Sequence, residues 1–209
     1  MKFCMRPKLT FYDWVSLFNS YTALVRRTDT VLEIGASGIE RTRDLAGRCA
    51  KLIGVELMPQ RIPEPFDNVE YRVADWQSLS AAVEPESIDL AVASHVIEHV
   101  PDDLRALDEL YTVLKPGGVA LINTPNRKRL VRAVIEVFQG ERKFPWWEHL
   151  REYTEEDLIH MLEASRFASY EILPVVFGLH GGPVMVYREN VPARMRRFSN
   201  FWEVHLFKE

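Results

Sequence analysis

An apolar run that breaks abruptly into small residues is the feature that most constrains this sequence. Residues 31–39 read Val-Leu-Glu-Ile-Gly-Ala-Ser-Gly-Ile, and a helical pattern resumes directly after them. This order predicts a strand, a tight turn and the start of a helix. Because Gly35, Ser37 and Gly38 leave the turn without bulk, a ligand can approach its backbone and meet the N–H groups at the helix start. The turn therefore predicts a nucleotide-like cofactor.

Length, charge and cysteine content narrow the class of protein. A chain of 209 residues with 47% hydrophobic residues is long enough for one buried core, and we expect a single domain over residues 1–209. A net charge of −4 gives no electrostatic footprint for binding nucleic acid. Cys4 and Cys49 fit no disulfide or metal pattern, which favours a cytoplasmic protein with reduced thiols. We also expect no signal peptide in residues 1–18 and no membrane span.

Short apolar runs alternate with segments of helix length along most of the chain. Seven of them have the composition of strands: 30–34, 51–56, 69–73, 88–94, 118–124, 168–176 and 201–208. The alternation predicts a doubly wound α/β fold with a mostly parallel seven-stranded sheet, helices on both faces and an antiparallel C-terminal edge strand. Within the single domain we expect a cofactor-binding core (about 30–126), a basic and aromatic lid with a helix (about 127–167) and C-terminal strands (about 168–209).

Several polar residues come directly after predicted strands. Ligands of open parallel sheets bind at the carboxyl ends of the strands, where the strand order reverses. Gly35, Glu56, Asp75 and Ser94 would all lie there. Glu56 follows Gly35 by about 20 residues, the spacing at which an acidic side chain binds ribose hydroxyls. We expect Asp75 to accept a hydrogen bond from an exocyclic amine and the indole of Trp76 to pack beside a purine.

The patterns of nicotinamide-dependent enzymes are incomplete. A dinucleotide site uses G-x-G-x-x-G, whereas this turn has only Gly35 and Gly38, which are out of register for that motif. Tyr111 and Lys115 match the Y-x-x-x-K spacing of short-chain dehydrogenases, but the early glycine cluster and the upstream serine of that class are missing. A dehydrogenase is therefore disfavoured.

Together, these motifs resemble those of class I S-adenosylmethionine-dependent methyltransferases of the small-molecule type, in particular the ubiquinone-pathway O-methyltransferases. The resemblance covers about residues 30–126 and rests on five segments: the first motif (31–35), the ribose acid (54–56), the adenine acid (74–75), the fourth-strand motif (88–101) and the turn before strand five (114–118). The first motif of the family usually reads G-x-G-x-G. Here Ser37 and Ile39 replace its second and third glycines, and their side chains narrow the room beside the methionine moiety.

The resemblance implies a Rossmann-like sheet, S-adenosylmethionine as cofactor and S-adenosylhomocysteine as product. It assigns cofactor contacts to ten residues: Glu33, Gly35, Ala36, Ser37, Glu56, Leu57, Asp75, Trp76, Ser94 and His95. The predicted function is methyl transfer to an oxygen of a small molecule, with nitrogen or carbon as less favoured acceptors. The alternative is a relative that binds the cofactor or its product without catalysis and acts as a partner or scaffold.

Glu98, His99 and His149 are the candidates for the proton transfer that a hydroxyl acceptor requires. If the chain is helical from Val96 onward, His95, Glu98 and His99 share one face. The ubiquinone-pathway enzymes carry a metal-binding Glu, Glu and His there. Here the first position is His95, and a set of His, Glu and His would suit a transition metal more than magnesium. Because Glu-His at this place also occurs in relatives that bind no metal, we predict no metal site and keep metal binding as an alternative. The resemblance puts the segment that begins at His149 over the acceptor pocket, which makes this histidine a second candidate base.

The segment 127–151 has seven basic residues against three acidic ones, and several aromatic residues. Its first part has apolar and basic residues on opposite sides of a predicted helix, the pattern of an interfacial helix. The apolar positions are Val131, Val134, Ile135 and Phe138, and the basic ones are Arg127, Lys128, Arg129 and Arg132. We favour a lid whose apolar face packs on the domain and whose arginines are solvated. Peripheral membrane contact through residues 127–147 and attraction of an anionic or lipid-linked acceptor are the alternatives.

Overall fold

The computed structural model describes residues 8–11, 17–64, 67–139, 148–181 and 184–209. The strands in chain order are β1 (Lys8–Phe11), β2 (Thr30–Ile34), β3 (Lys51–Glu56), β4 (Val69–Val73), β5 (Ile88–Ser94), β6 (Leu114–Pro125), β7 (Ser169–Val175), β8 (Phe177–Gly181), β9 (Val184–Arg188) and β10 (Phe201–Phe207). The α-helices are α1 (Ile39–Ala46), α2 (Asp103–Val113), α3 (Leu130–Gln139) and α4 (Glu155–Glu163). Short 3₁₀ turns cover Ser20–Ala23, Pro59–Arg61, Trp76–Ala81, Ile97–His99 and Ala193–Phe198.

Seven strands form the main sheet in the order β4-β3-β2-β5-β6-β10-β7. Strand β10 runs antiparallel to its two neighbours, β6 and β7, and the remaining pairs are parallel. The predicted seven-stranded, mostly parallel sheet with an antiparallel strand at its C-terminal edge is confirmed, and β7 pairs with the outer side of that antiparallel strand, β10. The order reverses between β2 and β5, so the ligand-binding crevice of such a sheet lies at the ends of these two strands.

The central strands β2, β3 and β5 are buried along most of their length, because helices and turns cover both faces of the sheet. On one face, Leu32 and Ile34 of β2 pack with Leu107 and Leu110 of α2 and with Leu158 of α4. A second core on the other face contains Val31, Leu45, Leu52, Leu90, Val92, Leu121 and the ring of Tyr21. Alternate residues of one strand therefore enter different cores.

A small antiparallel sheet of order β1-β9-β8 was not predicted from the sequence. Its strands have four or five residues each, and β8 contains two glycines, so the strand signal is weak. The pairing of β8 with β9 explains the glycine at 178, because a Cβ there would collide with the carbonyl oxygen of Val186.

Helix α4 begins at a capping box. Thr154 and Asp157 form a capping box, in which Thr154 Oγ1 accepts from the Asp157 N–H at 3.1 Å and Asp157 accepts from the Thr154 N–H at 2.8 Å. Cys49 is buried and free, and Cys4 lies outside the described residues. Among the helices of the described ranges, none is long and apolar enough to cross a membrane.

Candidate active site

The turn after β2 and the carboxyl ends of β3, β4 and β5 are joined by short contacts. The Gly35 N–H donates to the carbonyl of Val55 at 2.8 Å, and the Ala74 N–H donates to the carbonyl of Glu56 at 3.2 Å. Gly35 has a φ of 74°, and a Cβ there would lie 2.6 Å from Cγ2 of Val96, just beyond β5. These contacts bring the predicted cofactor residues of four strands to one edge of the sheet.

Glu56 and Leu57 place a carboxylate and an apolar side chain side by side at the end of β3. Glu56 is buried, and its Oε1 accepts from the N–H of Met58 at 3.0 Å. Leu57 is 59% exposed. A held carboxylate next to an exposed leucine suits a ribose whose attached base rests on apolar surface.

Asp75 lies in the turn after β4, whereas the neighbouring Trp76 is buried in the core. Asp75 caps the turn Trp76–Ala81, where its Oδ1 accepts from the N–H of Gln77 at 2.9 Å and the amide of Gln77 donates to both carboxylate oxygens at 3.1 and 3.2 Å. Trp76 is only 3% exposed and belongs to the core. Its indole face is therefore not presented to a purine, and Leu57 offers the exposed apolar surface at this edge. The contact of Asp75 with an exocyclic amine stays a prediction.

Glu33 lies beneath the turn rather than in it. Its carboxylate is fully buried and accepts from Nε of Arg41 at 2.9 Å and from Oγ1 of Thr42 at 2.7 Å. Both oxygens are thus bonded to α1, so Glu33 positions the turn instead of joining the other predicted cofactor residues. Ala36 is buried in the turn, whereas Ser37 is exposed.

Ser94 and His95 end β5 beside the turn. The Ser94 hydroxyl is buried and has no hydrogen-bond partner within the described part of the chain, as expected of a group that bonds a ligand or water. The ring of His95 meets those of Phe18 and Phe201 edge-on, with centroids at 5.1 and 5.3 Å. Its Nδ1 lies 3.2 Å from Oε1 of Glu98.

The prediction that the residues after β5 share one face of a helix is wrong. His95 has a φ of 56°, in the left-handed region, and only the single turn Ile97–His99 follows it. His95, Glu98 and His99 therefore do not line one side of a helix. His95 points among aromatic rings, while Glu98 and His99 join a residue from a distant segment.

That residue is His149. The ligand atoms of Glu98, His99 and His149 all lie within 4.8 Å of one another. His149 Nε2 is 3.9 Å from Glu98 Oε1, and the rings of the two histidines meet edge-on with centroids 4.8 Å apart. The Leu150 N–H donates to the carbonyl of Glu98 at 2.9 Å and fixes the segment against the loop after β5. The three residues predicted for proton transfer thus converge.

Glu98 is the buried anion of this cluster. Its carboxylate is held by Nδ1 of His95 on Oε1 and by the hydroxyl of Thr124, which donates to Oε2 at 3.1 Å. Burial by itself raises the pKa of Glu98, but the hydrogen bond and charge of His95, and the charge of His149, hold that pKa below its usual value. Glu98 is therefore ionised and already bonded through both oxygens.

The metal set that the resemblance implies does not fit this chain. That set uses position 95, and His95 is bonded to Glu98 and packed between Phe18 and Phe201. Within the described part of the chain, the side chains close enough to share one ion are Glu98, His99 and His149 instead. A set with two imidazoles suits a transition metal more than magnesium.

Helix α3 contradicts the expected lid, in which arginines are solvated and apolar residues are packed. Arg132 is fully buried, and Arg129 is 4% exposed. Val134, Val137 and Phe138 are 56%, 80% and 83% exposed. The physical reason is that carboxylates on the inner side of the helix, themselves buried or half-buried, form ion pairs with these two arginines. Residues 140–147, with the aromatic part of the predicted lid, lie outside the described residues.

Glu152 is the residue that sequence reasoning missed. It is buried and forms a two-pronged ion pair with Arg129, whose Nη1 and Nη2 donate at 2.8 and 2.9 Å. Its Oε1 also lies 3.2 Å from Nδ1 of His149. Burial opposes ionisation, but the hydrogen bonds and charges of His149 and Arg129 lower the pKa of Glu152 to about 2. The only signal in the sequence was an acidic residue three positions after a candidate histidine.

Tyr111 and Lys115, the dehydrogenase-like pair, lie away from this site. Lys115 Nζ contacts both carboxylate oxygens of Asp89 at 2.7 and 2.8 Å, and Asp89 also accepts from the N–H of Thr30. Asp89 and Thr30 lie at the amino ends of their strands. The pair is therefore at the opposite edge of the sheet from the turn at Gly35.

The sequence matches a family model described as a methyltransferase domain over residues 9–171. It is 32% identical over 104 residues to a ubiquinone biosynthesis O-methyltransferase of Xanthomonas campestris pv. campestris, covering 46% of this chain and 43% of that protein. It is 29% identical over 167 residues to a probable S-adenosylmethionine-dependent methyltransferase of Mycolicibacterium smegmatis, covering 74% of this chain and 61% of that protein. The chain spans less than two thirds of the length of either relative.

Solved structures with the same fold include a SAM-dependent methyltransferase of Thermotoga maritima, described as a possible histamine N-methyltransferase. The TM-score is 0.69 at 19% identity, covering 95% of this chain and 90% of that one. The N-methyltransferase NodS of Bradyrhizobium japonicum in complex with S-adenosylhomocysteine has a TM-score of 0.58 at 18% identity, covering 93% and 84%. These similarities concern the fold. Since the family model covers most of the chain, the protein belongs to the class I S-adenosylmethionine-dependent methyltransferase family.

Proposed function

We propose that this chain transfers a methyl group from S-adenosylmethionine to an oxygen of a small-molecule acceptor. The observation that carries the proposal is the convergence of Glu98, His99 and His149 beside the sheet edge that bears the cofactor motifs. The similarity to ubiquinone biosynthesis O-methyltransferases supports oxygen over nitrogen or carbon.

The residues at the sheet edge fit the cofactor. The Glu56 carboxylate would accept from the ribose hydroxyls, Leu57 would lie against the adenine, and the unbonded hydroxyl of Ser94 would face the cofactor. Charge-assisted hydrogen bonds contribute roughly 1.5–3 kcal/mol each, so the loss of Glu56 weakens binding by about tenfold or more. When bound, the cofactor supplies a methyl group on a positively charged sulfur.

Two imidazoles are available to remove the proton of an acceptor hydroxyl. His99 Nδ1 lies 3.0 Å from the carbonyl of Glu148, and His149 Nδ1 lies 3.2 Å from the carboxylate of Glu152. Both partners only accept hydrogen bonds, so each Nδ1 carries a hydrogen, and in the neutral ring the lone pair lies on Nε2. Ionised Glu98 stabilises the imidazolium that forms. A positioned base of this kind contributes roughly 10²–10⁴-fold to the rate.

Formation of S-adenosylhomocysteine with a panel of phenols, catechols and other hydroxyl compounds tests this proposal. His149→Asn and His99→Asn are compared with His160→Asn, which changes an exposed histidine of α4. We expect one of the first two to lower kcat by roughly 10²-fold or more and His160→Asn to leave it unchanged. Full activity in both His99→Asn and His149→Asn would contradict the assignment of the base. Cofactor binding without turnover of any acceptor would favour the non-catalytic alternative.

A second proposal concerns the acceptor. The exposed apolar side chains of α3 favour contact with a membrane surface or with a lipid-linked acceptor. Val137 and Phe138 are more than three quarters exposed, whereas surface helices of soluble domains usually bury such residues.

A further inference from the structure

We propose that Glu152 is a positioning residue that fixes His149 in the tautomer with hydrogen on Nδ1 and so selects its Nε2 as the base. The base role rests on the methyl transfer proposed above, whereas the tautomer does not. The inference starts from a buried contact, the 3.2 Å separation between His149 Nδ1 and Glu152 Oε1.

The chemistry of Glu152 decides which atom donates in this contact. Its side chain is fully buried and bonded by both terminal nitrogens of the Arg129 guanidinium. In addition, Nε of Arg132 lies 3.9 Å from Oε2 of Glu152. An ionised carboxylate only accepts hydrogen bonds, so the hydrogen of this contact must belong to Nδ1 of His149.

Arg129 in turn fixes the carboxylate. Besides its two bonds to Glu152, its Nη1 donates to the carbonyl of Asn126 at 2.8 Å. Asn126 is itself held by its side-chain amide, which donates to the carbonyls of Arg197 and Ser199 at 3.0 and 2.8 Å. Glu152 is therefore attached to the end of β6, and its carboxylate has little freedom to follow a moving histidine.

The other side of the imidazole faces the cluster. With hydrogen on Nδ1, the lone pair lies on Nε2, which is 3.9 Å from Glu98 Oε1. Among the described residues, the ring is surrounded by Glu152 and Glu98, by the ring of His99, and by Arg129 behind Glu152. When an acceptor hydroxyl loses its proton to Nε2, the imidazolium stands between two carboxylates. In such a carboxylate–histidine pair, the carboxylate orients the imidazole as a general base and does not take the proton itself.

His149 and His99 differ in this respect. The Nδ1 of His99 faces a backbone carbonyl, which is neutral, whereas His149 faces a buried anion. The positive charge that develops on the base is therefore better stabilised at His149. This difference favours His149 over His99 as the proton acceptor.

Nitrogen NMR of the full chain, labelled with ¹⁵N-histidine, treated with EDTA and studied at about pH 8.5, tests the tautomer directly. The His149 signals are identified by their loss in His149→Asn. We expect a protonated Nδ1 and an unprotonated Nε2 in the wild type. An Nε2–H tautomer in the wild type would overturn the proposal, and this result requires no variant to fold.

Glu152→Gln supplies the second arm, with Glu156→Gln, an exposed carboxylate of α4, as the matched control. We expect a mixture of tautomers at His149 in Glu152→Gln and the wild-type pattern in Glu156→Gln. A pure Nδ1–H tautomer in folded Glu152→Gln would contradict the role of Glu152. With an active acceptor, Glu152→Gln should lower kcat by roughly tenfold or more and change the affinity for S-adenosylmethionine less than twofold. Failure of the wild type to bind S-adenosylmethionine would instead defeat the proposed function and leave the tautomer result standing.

Discussion

The carboxyl-end edge of the sheet buries mainly apolar residues, whereas the segment 127–154 buries mainly charged ones. At the sheet edge, apolar residues of β2, β3 and β5 are inside, and Leu57 is exposed beside a held carboxylate. In the segment, Arg129, Arg132 and Glu152 are inside, and Val137 and Phe138 are outside. Helical periodicity therefore showed that α3 has two different faces but not which of them is buried.

Charge pairing explains the difference. Arg132 Nε lies 3.1 Å from Glu136 Oε1, and Arg129 is paired with Glu152 at 2.8 Å. Burial of an unpaired arginine is costly, but ion pairs with good geometry and further hydrogen bonds offset much of that cost. The inner side of the segment thus holds a charged network next to the predicted catalytic cluster.

The largest expected effect is loss of the buried pair. Arg129→Gln leaves the Glu152 carboxylate without its two-pronged partner, so we expect the free energy of unfolding to fall by roughly 3–5 kcal/mol. The control is Lys128→Gln. It removes the neighbouring exposed pair with Glu156 and should cost about 0–1 kcal/mol. Urea unfolding followed by circular dichroism measures both, and equal losses would break the contrast between buried and solvated charge.

The loss of stability in acid tests the same contrast between buried and solvated charge. The pKa of Glu152 is about 2 in the folded protein, against an ordinary value near 4.5, so the ionised carboxylate stabilises the fold above about pH 4.5. This contribution is lost as the pH falls from 4.5 towards 2, because the unfolded state then binds the proton first. Two to three pKa units correspond to roughly 3 kcal/mol. Between pH 6 and 2, the wild type should therefore lose about that much more unfolding free energy than Glu152→Gln. Parallel pH curves would contradict the prediction.

A smaller effect is expected where the sheet edge is packed. A Cβ on Gly54 of β3 would lie 2.7 Å from Cδ1 of Tyr71 and 3.0 Å from Cβ of Ala36 in the turn. Gly54→Ala should therefore cost roughly 1–3 kcal/mol and weaken cofactor binding through displacement of the turn. Gly47→Ala is the matched change, since its nearest atoms lie at 3.5 Å, and we expect less than about 1 kcal/mol in either direction. Thermal unfolding of both variants measures the two changes in stability, and equal losses would contradict the prediction.

The exposed face of α3 should affect stability least. We expect Val137→Glu with Phe138→Glu to change the free energy of unfolding by no more than about 0.5 kcal/mol, because both positions are exposed. If this face meets a membrane, the double variant should lower co-sedimentation with anionic lipid vesicles by roughly tenfold. Lys128→Gln serves as the control for a single charge change. A wild type that does not sediment with the vesicles would contradict membrane contact.

The sequence predicted the sheet well because its parallel strands are short runs rich in apolar and β-branched residues, separated by segments of helix length. The strands that begin at Thr30, Lys51, Val69 and Ile88 have the predicted bounds. The small sheet escaped prediction because its strands are short. In the site, the motif spacing located the edge at Gly35 and Glu56. The pairing of Glu152 with Arg129 depends on a tertiary contact that no local pattern encodes.

Calorimetric titration with S-adenosylmethionine tests the central claim most directly, with S-adenosylhomocysteine and NADH as further ligands. Glu56→Ala removes the carboxylate at the sheet edge, and Glu84→Ala changes an exposed glutamate near the opposite edge. The account predicts that the wild type binds S-adenosylmethionine and S-adenosylhomocysteine but not NADH. It also predicts that Glu56→Ala weakens binding about tenfold or more, while Glu84→Ala leaves it unchanged. A folded wild type that binds neither S-adenosyl compound, or a Glu56→Ala variant that binds as tightly, would contradict it.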